Sequence, residues 1–164
     1  MCADNLFTAE AQRNAEIRRE EIPIKTQPMI EVVNRQRRFQ IDTEEWTGFA
    51  AKALAAIGKD GSSATIAFVS DKRIRQLNQQ FRGIHKATDV LSFPADEPHE
   101  LNLGDIAVSV ERAALQAKDN GLSFADEISQ LILHGLLHLS GYDHETDNGE
   151  MNRLELRLRR QLDI

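Results

Sequence analysis

Three histidines lie close together near the C-terminal end of the sequence, and their spacing is typical of a metal site. His134 and His138 are four residues apart, and His144 follows six residues later, in a chain with five histidines. On a helix, a spacing of four places two imidazoles on one face, so both can bind one ion. Gly141 can end that helix in a left-handed conformation, which lets the chain reverse and bring His144 back as a third ligand.

The number of metal ligands and the absence of a glutamate next to His134 limit the reactions that the site could catalyse. Three protein ligands with one open position hold a catalytic zinc ion, whereas structural zinc takes four. The spacing matches the metzincin protease pattern H-E-x-x-H-x-x-G-x-x-H at its histidines and glycine. However, Gly135 stands where those proteases carry the glutamate that acts as general base. The pattern therefore predicts a metal scaffold without the protease base, which argues against peptide hydrolysis.

Composition and charge exclude several classes of protein. The 164 residues, 41% hydrophobic and 28% charged, fit one ordinary soluble domain. No run approaches the ~18 apolar residues of a membrane span, and no signal-peptide stretch is present. The one cysteine, Cys2, has no internal disulfide partner and suits a reducing cytosol, so we expect a cytoplasmic protein. Because the net charge is −6, RNA would have to meet a local basic patch.

Apolar periodicity predicts an α+β domain over residues 29–164, preceded by a polar N-terminal extension over residues 1–28. Four strands are expected, at 29–33, 64–69, 89–93 and 104–110. Five helices are expected, at 42–57, 70–81, 111–118, from Ser123 through the first two histidines, and at about 147–162. The order β-α-β-α-β-β-α-α-α predicts a small mixed sheet covered by helices, with the metal helix late in the chain and at least one antiparallel strand pair.

Three segments together carry a resemblance to a known family. They are Leu77–Gly83 running into Ala87–Pro94, Leu103–Ile106, and His134–His144. Over about residues 29–164 the chain resembles the YbeY family of bacterial single-strand endoribonucleases, which are linked to rRNA maturation and ribosome quality control. The match departs from the family pattern at Ala87, where proline is usual, so the loop that enters the third strand would be looser.

The resemblance implies a fold, a cofactor and a substrate. The fold would be a zincin-like α+β sandwich, and one zinc ion would be held by His134, His138 and His144. Arg82 matches the family's functionally important arginine. The substrate would be single-stranded RNA, notably the 3′ end of 16S rRNA. The partners would be the small ribosomal subunit and its assembly proteins, and neither DNA nor a membrane is expected.

The residue types are consistent with cleavage of a phosphodiester. An open zinc site can lower the pKa of a bound water to about 7 or polarise a phosphoryl oxygen, and the 2′-hydroxyl of RNA could itself be the nucleophile. The sequence leaves these routes open. We assign catalytic roles to His134 and to Arg82, whose guanidinium matches phosphate oxygens in a two-pronged geometry. A locally basic run could follow the RNA backbone, and it comprises Lys72, Arg73, Arg75 and Lys86.

Two other functions stay open on the sequence alone. One is a metallohydrolase of peptides or small phosphoesters, and the other is a ribosome-assembly or RNA-binding factor whose zinc is mainly structural. Arg82 could then be a solvated side chain that is favoured at a helix C-terminus by the helix dipole. Asp143 could orient a histidine ligand or could simply form a turn.

Overall fold

The computed structural model describes residues 29–95 and 101–164 of the chain. Within them the order of strands and helices is the predicted one. The strands are β1 (Ile30–Asn34), β2 (Ser63–Val69), β3 (Val90–Pro94) and β4 (Asn102–Ser109). The helices are α1 (Thr43–Ile57), α2 (Asp71–Arg82), α3 (Val110–Asn120), α4 (Phe124–Leu139) and α5 (Glu150–Leu162). The predicted extension over 1–28, and residues 96–100 of a predicted loop, lie outside the described residues.

The four strands form one mixed sheet in the order β1-β2-β4-β3. Strands β1, β2 and β4 are parallel, and β3 runs antiparallel to β4, which confirms the predicted antiparallel pair. The pairing needs a glycine in β4. Gly104 has a φ of +122°, and a Cβ there would lie 2.1 Å from the carbonyl oxygen of Phe93. Any other residue would therefore push β3 away from the sheet.

Helix α4 lies in the centre of the fold and packs on β3, β4, α1 and α5. Ser123 caps it by accepting a hydrogen bond from the backbone N–H of Asp126 at 3.0 Å. Most of its surface is buried apolar side chain, contributed by Ile128, Leu131, Ile132, Leu133, Leu136, Leu137 and Leu139. Because those faces are fixed by packing, the remaining face, which carries His134 and His138, has a fixed direction.

The last helix begins three residues later than predicted. Asp147 does not enter α5, because its carboxylate accepts hydrogen bonds from the backbone N–H groups of Gly149 and Met151, both at 2.7 Å. An acceptor that satisfies these N–H groups stabilises the start of the helix from outside. None of the described helices has the length and apolar character that crossing a bilayer requires.

Candidate metal centre

The three predicted histidine ligands come together in the structure. Their ligand nitrogens lie within 4.8 Å of one another, and the Nε2 atoms of His134 and His138 are 3.1 Å apart. In a tetrahedral zinc site with Zn–N bonds of about 2.0–2.1 Å, two ligand nitrogens are separated by about 3.3 Å. The spacing of these two helix histidines is therefore close to that of two ligands on one zinc ion.

Two parts of the chain place these side chains. His134 and His138 lie one turn apart on α4, and His144 lies in the loop that follows. The chain turns at Gly141, whose φ of +94° confirms the predicted left-handed glycine. The backbone N–H of Tyr142 donates to the carbonyl of Leu137 at 3.1 Å, which closes the turn and returns the chain toward the helix.

His138 favours the form that binds a metal. Burial lowers the pKa of His138, and the neighbouring His134 and His144 lower it further. Neutral imidazole is the metal ligand, so the lowered pKa of His138 favours the binding of a cation over the binding of a proton.

A buried carboxylate behind the cluster was missed by the sequence reasoning. Glu155 of α5 is 6% exposed, and its Oε2 accepts a hydrogen bond from Nδ1 of His134 at 3.1 Å. Arg159 donates to the other oxygen of the same carboxylate. Burial raises the pKa of Glu155, but the hydrogen bonds from His134 and Arg159 outweigh it and hold that pKa below its ordinary value.

This hydrogen bond determines which ring nitrogen of His134 carries the proton. Because an ionised carboxylate can only accept, Nδ1 of His134 carries the proton and Nε2 keeps its lone pair for the ion. One signal in the sequence could have found Glu155: it lies between Met151 and Leu158, at positions of α5 that face the core. Asp143, the alternative orienting residue, instead accepts from the backbone N–H of Glu145 at 2.9 Å and forms a turn.

The histidines line a large cavity of about 1960 Å³. Arg82, at the C-terminal end of α2, lines the same cavity, as do Thr88 and Ser92 from β3 and the loop before it. The structure thus brings the predicted arginine and the predicted metal ligands to one space. The four other basic residues are exposed and do not line it, namely Lys72, Arg73, Arg75 and Lys86.

The residue next to the first histidine faces the protein core. A Cβ on Gly135 would lie 2.9 Å from Cδ1 and 3.0 Å from Cγ2 of Ile106, a side chain of β4 that is 1% exposed. Here α4 approaches the sheet closely, so any side chain at this position would have to displace Ile106. A protease-type glutamate would therefore begin against the buried Ile106, at a cost in packing.

The donor set is open on the cavity side. Among the described residues, no fourth histidine, cysteine, aspartate or glutamate joins the three-histidine group. A closed structural site would need that fourth ligand. Three imidazole nitrogens and an oriented first ligand, in a cavity that Arg82 also lines, form an arrangement that can bind a metal and a substrate oxygen together.

Comparisons with known proteins identify relatives of the chain. Residues 31–163 match the family model for Endoribonuclease YbeY. The chain is 51% identical over 94 residues to an Endoribonuclease YbeY of Nautilia profundicola, covering 57% of this chain and 68% of that protein. It is 41% identical over 133 residues to that of Koribacter versatilis, covering 81% and 86%.

A solved structure extends the comparison to the fold. The solution structure of TM1509 from Thermotoga maritima matches with a TM-score of 0.57 and 28% sequence identity, covering 82% of this chain and 89% of that one. The fold, the histidine cluster and the matches in sequence lead to one conclusion. The chain belongs to the Endoribonuclease YbeY family.

Proposed function

We propose that this protein is an endoribonuclease that cleaves single-stranded RNA with one zinc ion held by His134, His138 and His144. The observation that carries the proposal is the open three-histidine cluster, which faces the same cavity as Arg82. Membership of an endoribonuclease family supports the reaction class. A group of three histidine nitrogens supports zinc, which is commonly bound by imidazole ligands.

Zinc, Glu155 and Arg82 have separate roles in the proposed reaction. When bound, zinc would act as a Lewis acid that stabilises negative charge on a phosphoryl oxygen. Glu155 keeps the ring of His134 in the orientation and tautomer that a metal ligand needs. Arg82 holds the scissile phosphate, because a guanidinium donates two parallel hydrogen bonds to phosphate oxygens.

An aromatic pair that includes the sequence neighbour of Arg82 supports an unpaired substrate. Phe81 is 59% exposed, which is unusual for so large an apolar side chain. Its ring meets that of Phe93 edge to face, with centroids 5.0 Å apart, and both line the cavity. Stacking of a base on an aromatic ring contributes about 1–3 kcal/mol, and it requires a base that is free of a duplex.

The basic residues outside the cavity form a candidate path for the RNA that extends beyond the site. Lys72, Arg73 and Arg75 are exposed on α2, and Lys86 is exposed in the loop after it. We propose that they contact backbone phosphates on either side of the cleaved bond. Such contacts weaken with salt, and each contributes to affinity without reading sequence.

The biological setting is part of the same proposal. We infer that the substrate is the 3′ end of 16S rRNA, and that the partners are the small ribosomal subunit and its assembly proteins in the cytoplasm. The support is the family resemblance carried by the histidine segment and by the segment from Leu77 to Pro94. Cleavage of a 16S precursor within assembling small subunits, compared with the same RNA free in solution, tests this setting.

One set of variants tests the cleavage itself. Wild type, His138→Ala, Arg82→Ala and the exposed control Arg157→Ala are purified together, and zinc content and cleavage of single-stranded and duplex RNA are measured. We expect about one zinc per chain in wild type and loss of zinc and cleavage in His138→Ala. Arg82→Ala should keep zinc but lose about a hundredfold in rate or more. Equal rates for Arg82→Ala and Arg157→Ala would remove Arg82 from the mechanism.

Two observations weigh against the other candidate functions. A peptidase would need a base beside His134, and this chain has Gly135 there, packed against Ile106. A purely structural zinc would need a fourth ligand, which the described residues do not supply. Release of fluorescent peptide fragments with intact single-stranded RNA would reverse this order.

A further inference from the structure

The loop between β1 and α1 carries three exposed arginines that the proposed reaction does not use. Arg35, Arg37 and Arg38 all face solvent, whereas Gln36 between them is 9% exposed. Three positive charges within four residues stand out in a chain whose net charge is −6. Residues 35–38 are called the arginine loop below.

The buried side chain of Gln36 fixes the shape of the arginine loop. Its Oε1 accepts hydrogen bonds from the backbone N–H groups of Arg38 at 2.7 Å and Phe39 at 2.9 Å. Its Nε2 donates to Oδ1 of Asn34 and to the carbonyl oxygen of Phe39, both at 2.8 Å. The ring of Phe39 stacks on that of Phe124, with centroids 5.3 Å apart. Because the backbone is ordered before a partner binds, binding costs less conformational entropy.

One carboxylate joins the arginine loop to the start of α2. Oε1 of Glu111 accepts from Nη1 of Arg38 at 2.8 Å, and its Oε2 accepts from the backbone N–H of Asp71 at 2.6 Å. The loop and the first turn of α2 are therefore neighbours on the surface. That turn continues with Lys72 and Arg73, which are both exposed.

The two carboxylates at this junction are already engaged. Asp71 accepts from the hydroxyl of Ser109 at 2.6 Å and from Nε of Arg112 at 3.1 Å, and Glu111 accepts from Arg38. The side chain of Arg38 is nevertheless 75% exposed, so it can contact a second partner. The surface formed by the arginine loop and the first turn of α2 is consequently positive.

Helix α2 continues this positive surface to the metal centre. Lys72, Arg75, Gln79 and Arg82 follow one another at spacings of three, four and three, so they lie on one face of the helix, and all four are exposed. Residues 72–88 contain five lysines and arginines and no aspartate or glutamate. From Lys72 to Arg82 the helix rises about 15 Å, and Arg82 lines the histidine cavity.

On its other side the arginine loop is followed by acidic residues. Asp42, Glu44 and Glu45 are exposed at the start of α1, where Asp42 accepts from the backbone N–H groups of the other two. Phosphates would be repelled by these carboxylates and attracted along α2. The charges therefore direct a bound anionic chain from the loop toward Arg82.

The composition of this surface favours a phosphate chain over a protein partner. Protein interfaces usually have an apolar or aromatic centre. Among the described residues, the exposed large apolar side chains lie outside the arginine loop and the first turn of α2: Met29, Phe81, Ile84, Leu101, Leu115 and Leu156. Arginine forks, by contrast, match the oxygens of phosphates.

We propose that the arginine loop is a second RNA-binding site, which holds backbone phosphates of the substrate strand at a distance from the cleaved bond; this inference rests on the proposed function. The bound strand runs from the loop along α2 to Arg82. At about 3.4 Å per stacked nucleotide, a rise of about 15 Å corresponds to about four or five nucleotides. The site reads no sequence, but it favours substrates whose single-stranded tail is long enough to reach it.

The length of the substrate tests this site. Zinc-loaded wild type and the double variant Arg35→Gln/Arg37→Gln are compared on a tetrauridylate, which is too short to span both sites, and on an oligouridylate of about 16 nucleotides. The ratio of kcat/KM for the long substrate to that for the short one should fall about tenfold in the double variant, because two charged hydrogen bonds to phosphate are lost. The control Arg157→Gln/Arg160→Gln removes the same charge from exposed positions of α5 and should keep the wild-type ratio.

The salt dependence of binding gives a second readout. Dissociation constants for the long oligouridylate are read before turnover at several salt concentrations. The slope of log Kd against log salt should be less steep by about 1.4 in Arg35→Gln/Arg37→Gln, since each phosphate contact of a single strand contributes about 0.7. Unchanged slopes and ratios, or an equal loss on both substrate lengths, would overturn the second site while leaving the nuclease intact.

Two other outcomes have separate meanings. Weaker binding of polyglutamate by the double variant, with unchanged binding of the long oligouridylate, would overturn the RNA site and assign the arginine loop to an acidic protein. Zinc-loaded wild type that binds the long oligouridylate through the arginine loop but cuts neither substrate would overturn the proposed function instead.

Discussion

Replacement of Glu155 by glutamine separates the orientation of the metal ligand from the binding of the metal itself. The substitution keeps the size of a side chain that is 6% exposed, but it removes the negative charge that faces His134 and Arg159. A hydrogen bond to a charged acceptor is worth about 1.5–3 kcal/mol, and a neutral one about 0.5–1.5 kcal/mol. The bond from His134 should therefore weaken by about 1–1.5 kcal/mol.

The weaker hydrogen bond between His134 and residue 155 should lower the affinity for zinc. Each 1.4 kcal/mol is a factor of about ten, so Glu155→Gln should bind zinc about tenfold more weakly, at the lower end of the range known for residues that orient a metal ligand. The amide also turns one N–H group toward either His134 or Arg159, since it cannot accept from both. The metal-free protein should consequently also be less stable, because Arg159 loses the negative charge of its ion-pair partner.

Competition with a chromophoric zinc chelator at one fixed, near-neutral pH measures the affinity, and denaturant unfolding of the metal-free protein measures the stability. Glu31→Gln is the matched control, because it makes the same chemical change at an exposed position on β1. The reasoning would be refuted if zinc affinity stayed within about twofold of wild type while stability fell. Glu155 would then only support the packing of α5.

Three further predictions concern the frame of the site. Gly135→Ala should lower the unfolding free energy by about 1 kcal/mol, because overpacking against Ile106 exceeds the gain in helix propensity; urea unfolding checks this. Gly104→Ala should separate β3 from β4 at Phe93, seen as faster hydrogen exchange of β3 amides. Glu111→Gln should cost about 1 kcal/mol near neutral pH, because the carboxylate accepts from the first backbone N–H of α2 at 2.6 Å.

The last of these has a defined pH dependence. The hydrogen bond from the backbone of Asp71, followed by that from Arg38, holds the pKa of Glu111 below its ordinary value of 4.5. A depressed folded-state pKa stabilises the protein fully above pH 4.5, and the gain is lost as pH falls through the lower folded value. The difference in stability between wild type and Glu111→Gln should therefore vanish in acid. A difference that persisted there would mean that packing, rather than charge, is lost.

Sequence reasoning succeeded where the signal is local. The order of helices and strands follows from apolar periodicity and from capping residues such as Ser123, each of which acts over a few positions. The approach of His134 and His138 follows from the helical repeat alone. His144 could be predicted as the third ligand because a single turn at Gly141 connects it to the helix.

What sequence reasoning missed depends on contacts between distant segments. Glu155 lies 21 residues after His134, and nothing in either segment specifies that α5 packs behind the ligand. The close approach of Gly135 to Ile106 depends on how α4 crosses the sheet.

One helix holds two of the three histidines in a fixed relation. Because α4 is buried on its other faces, the face that carries His134 and His138 cannot turn without breaking the packing around it. The four-residue spacing therefore sets the distance between the two Nε2 atoms before any metal binds. Glu155 fixes the ring of His134 from α5, so the geometry of these two ligands depends on helix packing and on one buried carboxylate rather than on a flexible loop.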